Sequence, residues 1–488
     1  MPASSPALPT RRPWLAAFAA VNAVAAWGGA VALMSGGIDF GDRLNQRLPF
    51  QSLVLAGLAL AAVVAIPLTA LAWSAWVGSA RTGEVALVAG LLLIGWIAVQ
   101  VVVLRSLSLF HPTYLGVGAA IVAASHRVQL GPLWRGALLV LVGAVVTASG
   151  VGLVPHLVKD GLAVLSVLSV VLLGTGVASV AVGGRSALRG RGRLRGVAGT
   201  AGLVLVVGVA VSIVAPAVAA THVPPTHVGR TPAALGLAYD PVTLTTADGV
   251  ELAAWYLAGT NGAGVVVLHG AGSTRSDVLD QAAALVSSGY AALLVDARGH
   301  GDSDGTAMDF GWRGDLDIGA ATAFLASRTD IDAERIGVVG FSMGGEEAIG
   351  AAAAHRRIRA VVAEGATARR AADKAWLSDA YGWRGWVQER LERAQDSVTA
   401  LLTEASPPTS LRAAVAMASA TRFLLITAGN VDDERRAASF IGAGTGGRAQ
   451  VWEVAGADHT GGYDVDPEGW RERVVGFLDD ALVSEPRP

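Results

Sequence analysis

The residues best suited to covalent chemistry lie in Val338-Val339-Gly340-Phe341-Ser342-Met343-Gly344-Gly345. A serine flanked by glycines at both second neighbours sits between an apolar run and an alanine- and glutamate-rich stretch. Glycines at Gly340 and Gly344 let a strand turn straight into a helix, because no side chain fills the crowded corner. The hydroxyl of Ser342 is then held at the bend, and the next amide, at Met343, opens a helix where negative charge is favoured. That chemistry is nucleophilic attack on an acyl carbonyl. It needs a base, and a carboxylate to hold the base in the right tautomer.

Of the histidines after residue 220, His459 in Ala455-Gly-Ala-Asp-His459-Thr-Gly-Gly follows an apolar strand and suits the base. His222 and His227 belong to a linker, and His355 ends an alanine-rich helix beside Arg356-Arg357. The carboxylate is expected after Phe423-Leu-Leu-Ile-Thr-Ala-Gly429, where Asp432, Asp433 and Glu434 are adjacent. Asp432 is the expected acid, and its two neighbours are the alternatives or helix-capping groups. A second glycine loop, Val265-Val-Val-Leu-His269-Gly270-Ala271-Gly272, ends another strand. Its Ala271 amide, with that of Met343, is expected to bind the developing oxyanion, and His269 to orient the loop.

These residues need a scaffold of alternating strands and helices. Val242–Tyr256 forms a hairpin with its turn at Asp248-Gly249. Buried-strand candidates follow at 264–268, 291–295, 336–339, 359–363, 422–426 and 450–454, with helices at 275–287, 314–327, 343–353, 433–442 and 467–482. Such alternation predicts a mostly parallel sheet with helices on both faces and its site at the strands' C-terminal ends.

In this order and spacing, residues 240–482 resemble the α/β-hydrolase superfamily, in particular its serine aminopeptidase-like and lysophospholipase-like members. The blocks that carry the likeness are Gly340–Gly344, His269-Gly270, Asp432, His459 and Asp296-Ala297-Arg298-Gly299-His300-Gly301-Asp302-Ser303. The resemblance implies that Asp296, Arg298 and His300 brace loops, and that no metal or organic cofactor is needed. It also places a short cap at 366–420, whose Trp376, Trp383 and Trp386 line an acyl pocket, pack onto the core or meet lipid headgroups. The sequence after Gly429 lacks the family's usual Val-Pro.

The first 220 residues fall outside that likeness. They hold 14 basic and 4 acidic side chains, whereas the remainder holds 23 basic and 35 acidic ones. Seven windows without Asp, Glu, Lys or Arg suit a bilayer: 14–35, 52–76, 85–104, 106–125, 136–155, 161–183 and 197–220. The fourth is interrupted by His111-Pro112, and its clearly apolar part runs only from Tyr114 to Ala124. The expected architecture is an all-α transmembrane bundle of about seven spans (1–220), a linker at 221–239 and a hydrolase domain at 240–488. Small residues such as Gly29, Gly57, Gly90, Gly143, Gly174, Gly176 and Gly208 permit close helix packing. His111, His126 and His156, at window edges, suit loop or interfacial positions.

Five arginines between Arg185 and Arg195 place that loop in the cytoplasm and the C-terminal domain outside it, on an integral, multi-pass protein of the cell membrane. Scattered between apolar segments, the basic residues determine topology and form no nucleic-acid surface. The absence of cysteine excludes disulfide scaffolds, thiol nucleophiles and Cys-ligated metals. The expected partners are therefore a bilayer and a small-molecule, lipid-ester or peptide substrate. The function is serine hydrolysis of an ester, thioester or amide. Acyl transfer to another acceptor, or a non-catalytic module on a transporter or sensor, are the alternatives.

Overall fold

The computed structural model describes residues 11–38, 48, 52–104, 110–125, 132–190, 192–224, 226–305 and 307–484. His126, Pro225 and the start of the fourth apolar window lie outside the described residues. The chain forms two compact units, Met1–Arg135 with Leu401–Glu404 and Gly136–Ala400 with Ala405–Pro488. The unit holding the sheet thus reaches back to Gly136, before the expected boundary at residue 220.

Among the described residues six helices are long and apolar enough to cross a membrane: Pro13–Met34, Leu53–Val77, Thr82–Gln100, Gly136–Lys159, Val164–Leu188 and Arg193–Thr221. Among the described residues the fourth expected window holds a shorter helix, Phe110–Ala124, of which Tyr114–Ala124 is apolar. Fifteen residues rise only about 22 Å, short of a hydrocarbon core about 30 Å thick. In the first unit Ala19, Ala23, Leu68, Leu71, Ala89, Leu93 and Ile121 form the packed interior. Glycines carry the close approaches, since a Cβ at Gly57 would stand 2.7 Å from the Ala30 carbonyl oxygen and one at Gly143 2.8 Å from that of Gly176. Gly174 and Gly208, by contrast, face open space.

The second unit contains eight strands: β1 (Asp240–Thr245), β2 (Glu251–Leu257), β3 (Gly264–Leu268), β4 (Ala291–Val295), β5 (Ile336–Phe341), β6 (Ile358–Glu364), β7 (Arg422–Ala428) and β8 (Ala449–Val454). They form one sheet in the order β1-β2-β4-β3-β5-β6-β7-β8. The β1/β2 and β2/β4 pairs are antiparallel and the other pairs parallel. β3 and β4 are short apolar runs buried along their whole length, as strands covered on both faces must be.

Alternate residues feed the two cores. Val266, Leu268, Val338, Ile349 and Phe423 pack on one side, and Val265, Val267, Val339, Leu424 and Trp470 on the other. Helices Gly314–Ser327, Met343–Ala354, Asp432–Gly442 and Pro467–Leu478 lie near their expected positions. Between β6 and β7 the cap comprises Leu377–Tyr381, Trp383–Leu402 and Leu411–Met417.

Candidate active site

The end of β5 turns into helix Met343–Ala354 through Ser342, whose φ of 50° and ψ of −118° lie outside the regions favoured by side-chain-bearing residues. Holding a serine there costs on the order of 1–3 kcal/mol. The corner tolerates no larger neighbours. A Cβ at Gly340 would stand 2.2 Å from the Gly344 carbonyl oxygen, and one at Gly344 would stand 2.6 Å from that of His269. The Ser342 amide donates to the Glu364 carbonyl at 2.8 Å, tying the bend to the end of β6.

His459 follows β8 and points its Nε2 at Ser342 Oγ, 2.9 Å away. Behind the ring, Nδ1 meets Glu434 Oε1 at 2.5 Å. The carboxylate is Glu434, not the expected Asp432. Asp432 is exposed, with its side chain 72% accessible, and pairs with Arg435 at 2.8 Å. Asp433 accepts from the Tyr381 hydroxyl at 2.5 Å.

The cause is helical phase. All three acids open helix Asp432–Gly442, and each residue turns the side chain by about 100°, so only the third faces inward. Glu434 is 1% exposed, and its other oxygen accepts the Ala428 amide at 2.8 Å. Nδ1–H therefore donates to Glu434, leaving the Nε2 lone pair for the serine proton. The bond to Glu434 raises the His459 pKa against the opposing effect of burial.

The glycine loop after β3 lies alongside. A Cβ on Gly270 would stand 3.3 Å from Ser342 Cβ. His269 is buried, donates from Nδ1 to the Gly270 carbonyl at 2.7 Å, and accepts the Ala297 amide on Nε2 at 3.0 Å. Burial lowers its pKa to about 4, as suits a neutral ring bridging two loops. Met343 begins its helix, where an amide has no carbonyl one turn back to bond. Ala271 sits next to Gly270 on the exposed rim of the loop.

The residues after β4 hold these loops from behind. Asp296 accepts the Arg275 amide at 2.7 Å and the Asp302 amide at 2.9 Å, and also pairs with the Arg275 guanidinium. Arg298 bridges Asp248 at 2.9 Å and the buried Asp317. His300 Nε2 accepts the Gly272 amide at 2.9 Å.

Glu364, which the motifs do not single out, is also buried here. Its side chain accepts from the Gly462 amide at 2.8 Å and from Trp470 Nε1 at 2.9 Å, bracing the loop after His459. An acid ending an apolar strand was its available signal. Among the described residues no cluster of His, Cys, Asp and Glu could hold a metal ion.

A match to the family described as "Serine aminopeptidase, S33" covers residues 259–420, which include Ser342 and the loops after β3 and β4. Residues 259–420 thus match an α/β-hydrolase family, and the sheet extends on both sides of the matched segment. The chain is 35% identical over 114 residues to an uncharacterized protein of Mycobacterium tuberculosis, covering 23% of this chain and 40% of that protein. It is 33% identical over 133 residues to the thiohydrolase aneE of Aspergillus aculeatus, covering 25% of this chain and 40% of that enzyme. The chain thus spans well under half the length of these relatives. A solved structure of the Pyrococcus furiosus esterase Pf2001 superposes with a TM-score of 0.44 at 24% identity, covering 54% of this chain and 98% of that one.

Proposed function

We propose that the chain is a membrane-anchored serine hydrolase acting through an acyl-enzyme. The observation that carries this reading is the continuous relay Ser342 Oγ, His459 Nε2, His459 Nδ1 and Glu434 Oε1, with successive contacts of 2.9 and 2.5 Å.

In the proposed reaction, Ser342 Oγ bonds to the acyl carbon while its proton passes to His459 Nε2. Glu434 stabilises the resulting imidazolium. The amides of Ala271 and Met343 stabilise the oxyanion, which in such sites is the largest electrostatic contribution. His459 then gives its proton to the leaving oxygen, sulfur or nitrogen as that bond breaks. Water then bonds to the acyl carbon while giving a proton to the same nitrogen, and His459 returns that proton to Ser342 Oγ as the acyl–serine bond breaks and the acid leaves.

Six long apolar helices support anchoring. Arg185 is in the last turn of Val164–Leu188, Arg189 caps that helix, and Arg193 and Arg195 open Arg193–Thr221, at the opposite end from Thr221, where the chain leaves for the sheet. By the positive-inside preference this reading puts the hydrolase domain outside the cytoplasm.

A fluorophosphonate probe should label the wild type in membranes and fail to label Ser342→Ala. Labelling of the variant at an unchanged rate would defeat the reading. Because the natural chain lacks cysteine, a single cysteine introduced at exposed Arg384 tests the topology directly. An impermeant maleimide should label it in intact cells, and labelling only after lysis would reverse the orientation.

A further inference from the structure

Two loops that frame Ser342 are each tied to the end of an apolar helix. The first is the glycine loop after β3. The Lys159 ammonium, at the end of Gly136–Lys159, donates to the Gly272 carbonyl at 3.0 Å, two residues beyond the glycine that packs on Ser342. The second is the segment Met308–Gly311. The Met308 amide donates to the carbonyl of Ala220, in the last turn of Arg193–Thr221, at 3.0 Å. At its other end, a Cβ on Gly311 would stand 3.2 Å from Met343 Cγ, beside the nucleophile.

A cleft of about 420 Å³ is lined by His156, Leu165 and His222 from the helix ends and by Gly299, Gly301 and Ser303 from the loop after β4. His156 does not sit in a loop. It is buried in the short helix Val154–Lys159, where Nδ1 meets Asp160 at 2.5 Å and Nε2 the His222 carbonyl at 3.0 Å, so the two helix ends are bonded to each other.

The cap adds an independent observation. Tyr381 holds the start of helix Trp383–Leu402 beside the acid loop through its bond to Asp433. From there Trp383 and Trp386 project with 77% and 51% of their surface exposed. They therefore neither pack the cap onto the core nor line a closed pocket. Arg384 lies between them in the chain, and Arg390, one turn on, lies 5.0 Å over the Trp386 ring. Tryptophan with arginine is the pairing favoured at the headgroup level of a bilayer, where an apolar ring and a charge are both accommodated.

Resting on the hydrolase reading, we propose that the catalytic rim faces the membrane surface and that the substrate is the acyl ester of a bilayer-resident amphiphile. The ester carbonyl reaches Ser342 from the headgroup layer, and Trp383 and Trp386 rest in that layer while it does. Both membrane-side ties fall on loops at the C-terminal ends of the parallel strands, so the short path to the serine opens at the bilayer and not at the far edge of the sheet.

The full chain in lipid vesicles tests this with two esters of one leaving group, water-soluble 4-methylumbelliferyl butyrate and bilayer-embedded 4-methylumbelliferyl palmitate. The expected result is turnover of both by wild type, with Trp383→Ser/Trp386→Ser losing about tenfold on the palmitate and less than twofold on the butyrate. If butyrate is cleaved but embedded palmitate is not, or if the double variant treats both alike, this proposal is overturned while the hydrolase reading stands. If neither ester is cleaved, or Ser342→Ala cleaves both, the hydrolase reading itself falls and this proposal with it. A second readout does not depend on turnover. A fluorophore on Trp383→Cys should be quenched by headgroup spin-labelled lipid, and an unquenched label overturns the proposal.

Discussion

Replacing Glu434 by glutamine removes one negative charge and almost no volume, so its consequence can be worked out atom by atom. Glu434 Oε2 accepts the buried Ala428 amide at 2.8 Å, and leaving that amide unmet would cost about 1–3 kcal/mol. The glutamine oxygen is therefore committed to Ala428, and its NH2 must face His459 Nδ1. An NH2 group can only donate, so Nδ1 becomes an acceptor and the ring proton moves to Nε2, where it points at Ser342 Oγ. The base then has no lone pair at the serine.

A tautomer error of this kind lowers kcat on the order of 10³–10⁴-fold in serine triads, or about 4–5.5 kcal/mol of transition-state stabilisation. Folding should change little, because both contacts of the side chain persist. Steady-state release of methylumbelliferone from the butyrate ester measures the effect, with thermal unfolding as the control. Asp432→Asn, at an exposed position paired only with Arg435 among the described residues, should stay within about threefold of wild type. The reasoning is refuted if Asp432→Asn loses as much as Glu434→Gln, or if Glu434→Gln keeps more than about a tenth of the activity.

The acidic limb of kcat/KM should lie above pH 6.5, because pairing with Glu434 raises the His459 pKa and only the neutral ring accepts a proton. In Glu434→Gln the residual activity should show this limb displaced to lower pH, and an unmoved limb would contradict the pairing. Glu347, buried with Oε2 unpartnered, is pushed up to about 8 by burial. Between its unfolded pKa of about 4.5 and that value the folded state keeps a proton the unfolded state has lost, so stability falls as pH rises through this window. Glu347→Gln should flatten the dependence of the unfolding temperature between pH 5 and 8, with a gain of up to about 3 kcal/mol at pH 7. Gly344→Ala would force a Cβ to within 2.6 Å of the His269 carbonyl oxygen and 2.8 Å of that of Leu268. The displaced corner should cost about 1–3 kcal/mol of stability and at least a hundredfold in turnover, read by thermal unfolding and the butyrate assay.

The features that could be read along the chain are those whose cause is local. Val265–Leu268 and Ala291–Val295 had to be buried strands because runs of four and five apolar residues bounded by loop formers leave a doubly covered sheet few other segments to use. The serine was legible because its corner is built from five consecutive residues, and the crowding at Gly340 comes from Gly344 and Gly345 of the same turn. Span length sorted the apolar helices in the same way, including the short one at Tyr114–Ala124. The acid could not be chosen locally. Asp432, Asp433 and Glu434 have similar chemistry, and which of them meets His459 depends on how one helix is rotated over the end of β7, a phase set by Ala437, Ala438 and Ile441 entering the core. The tryptophans of the cap were likewise undecided until the packing was known, since an amphipathic stripe looks the same whether it meets core, pocket or lipid. Chemistry confined to one turn of chain is written in order, but a choice among neighbours is made by whatever distant surface they must face.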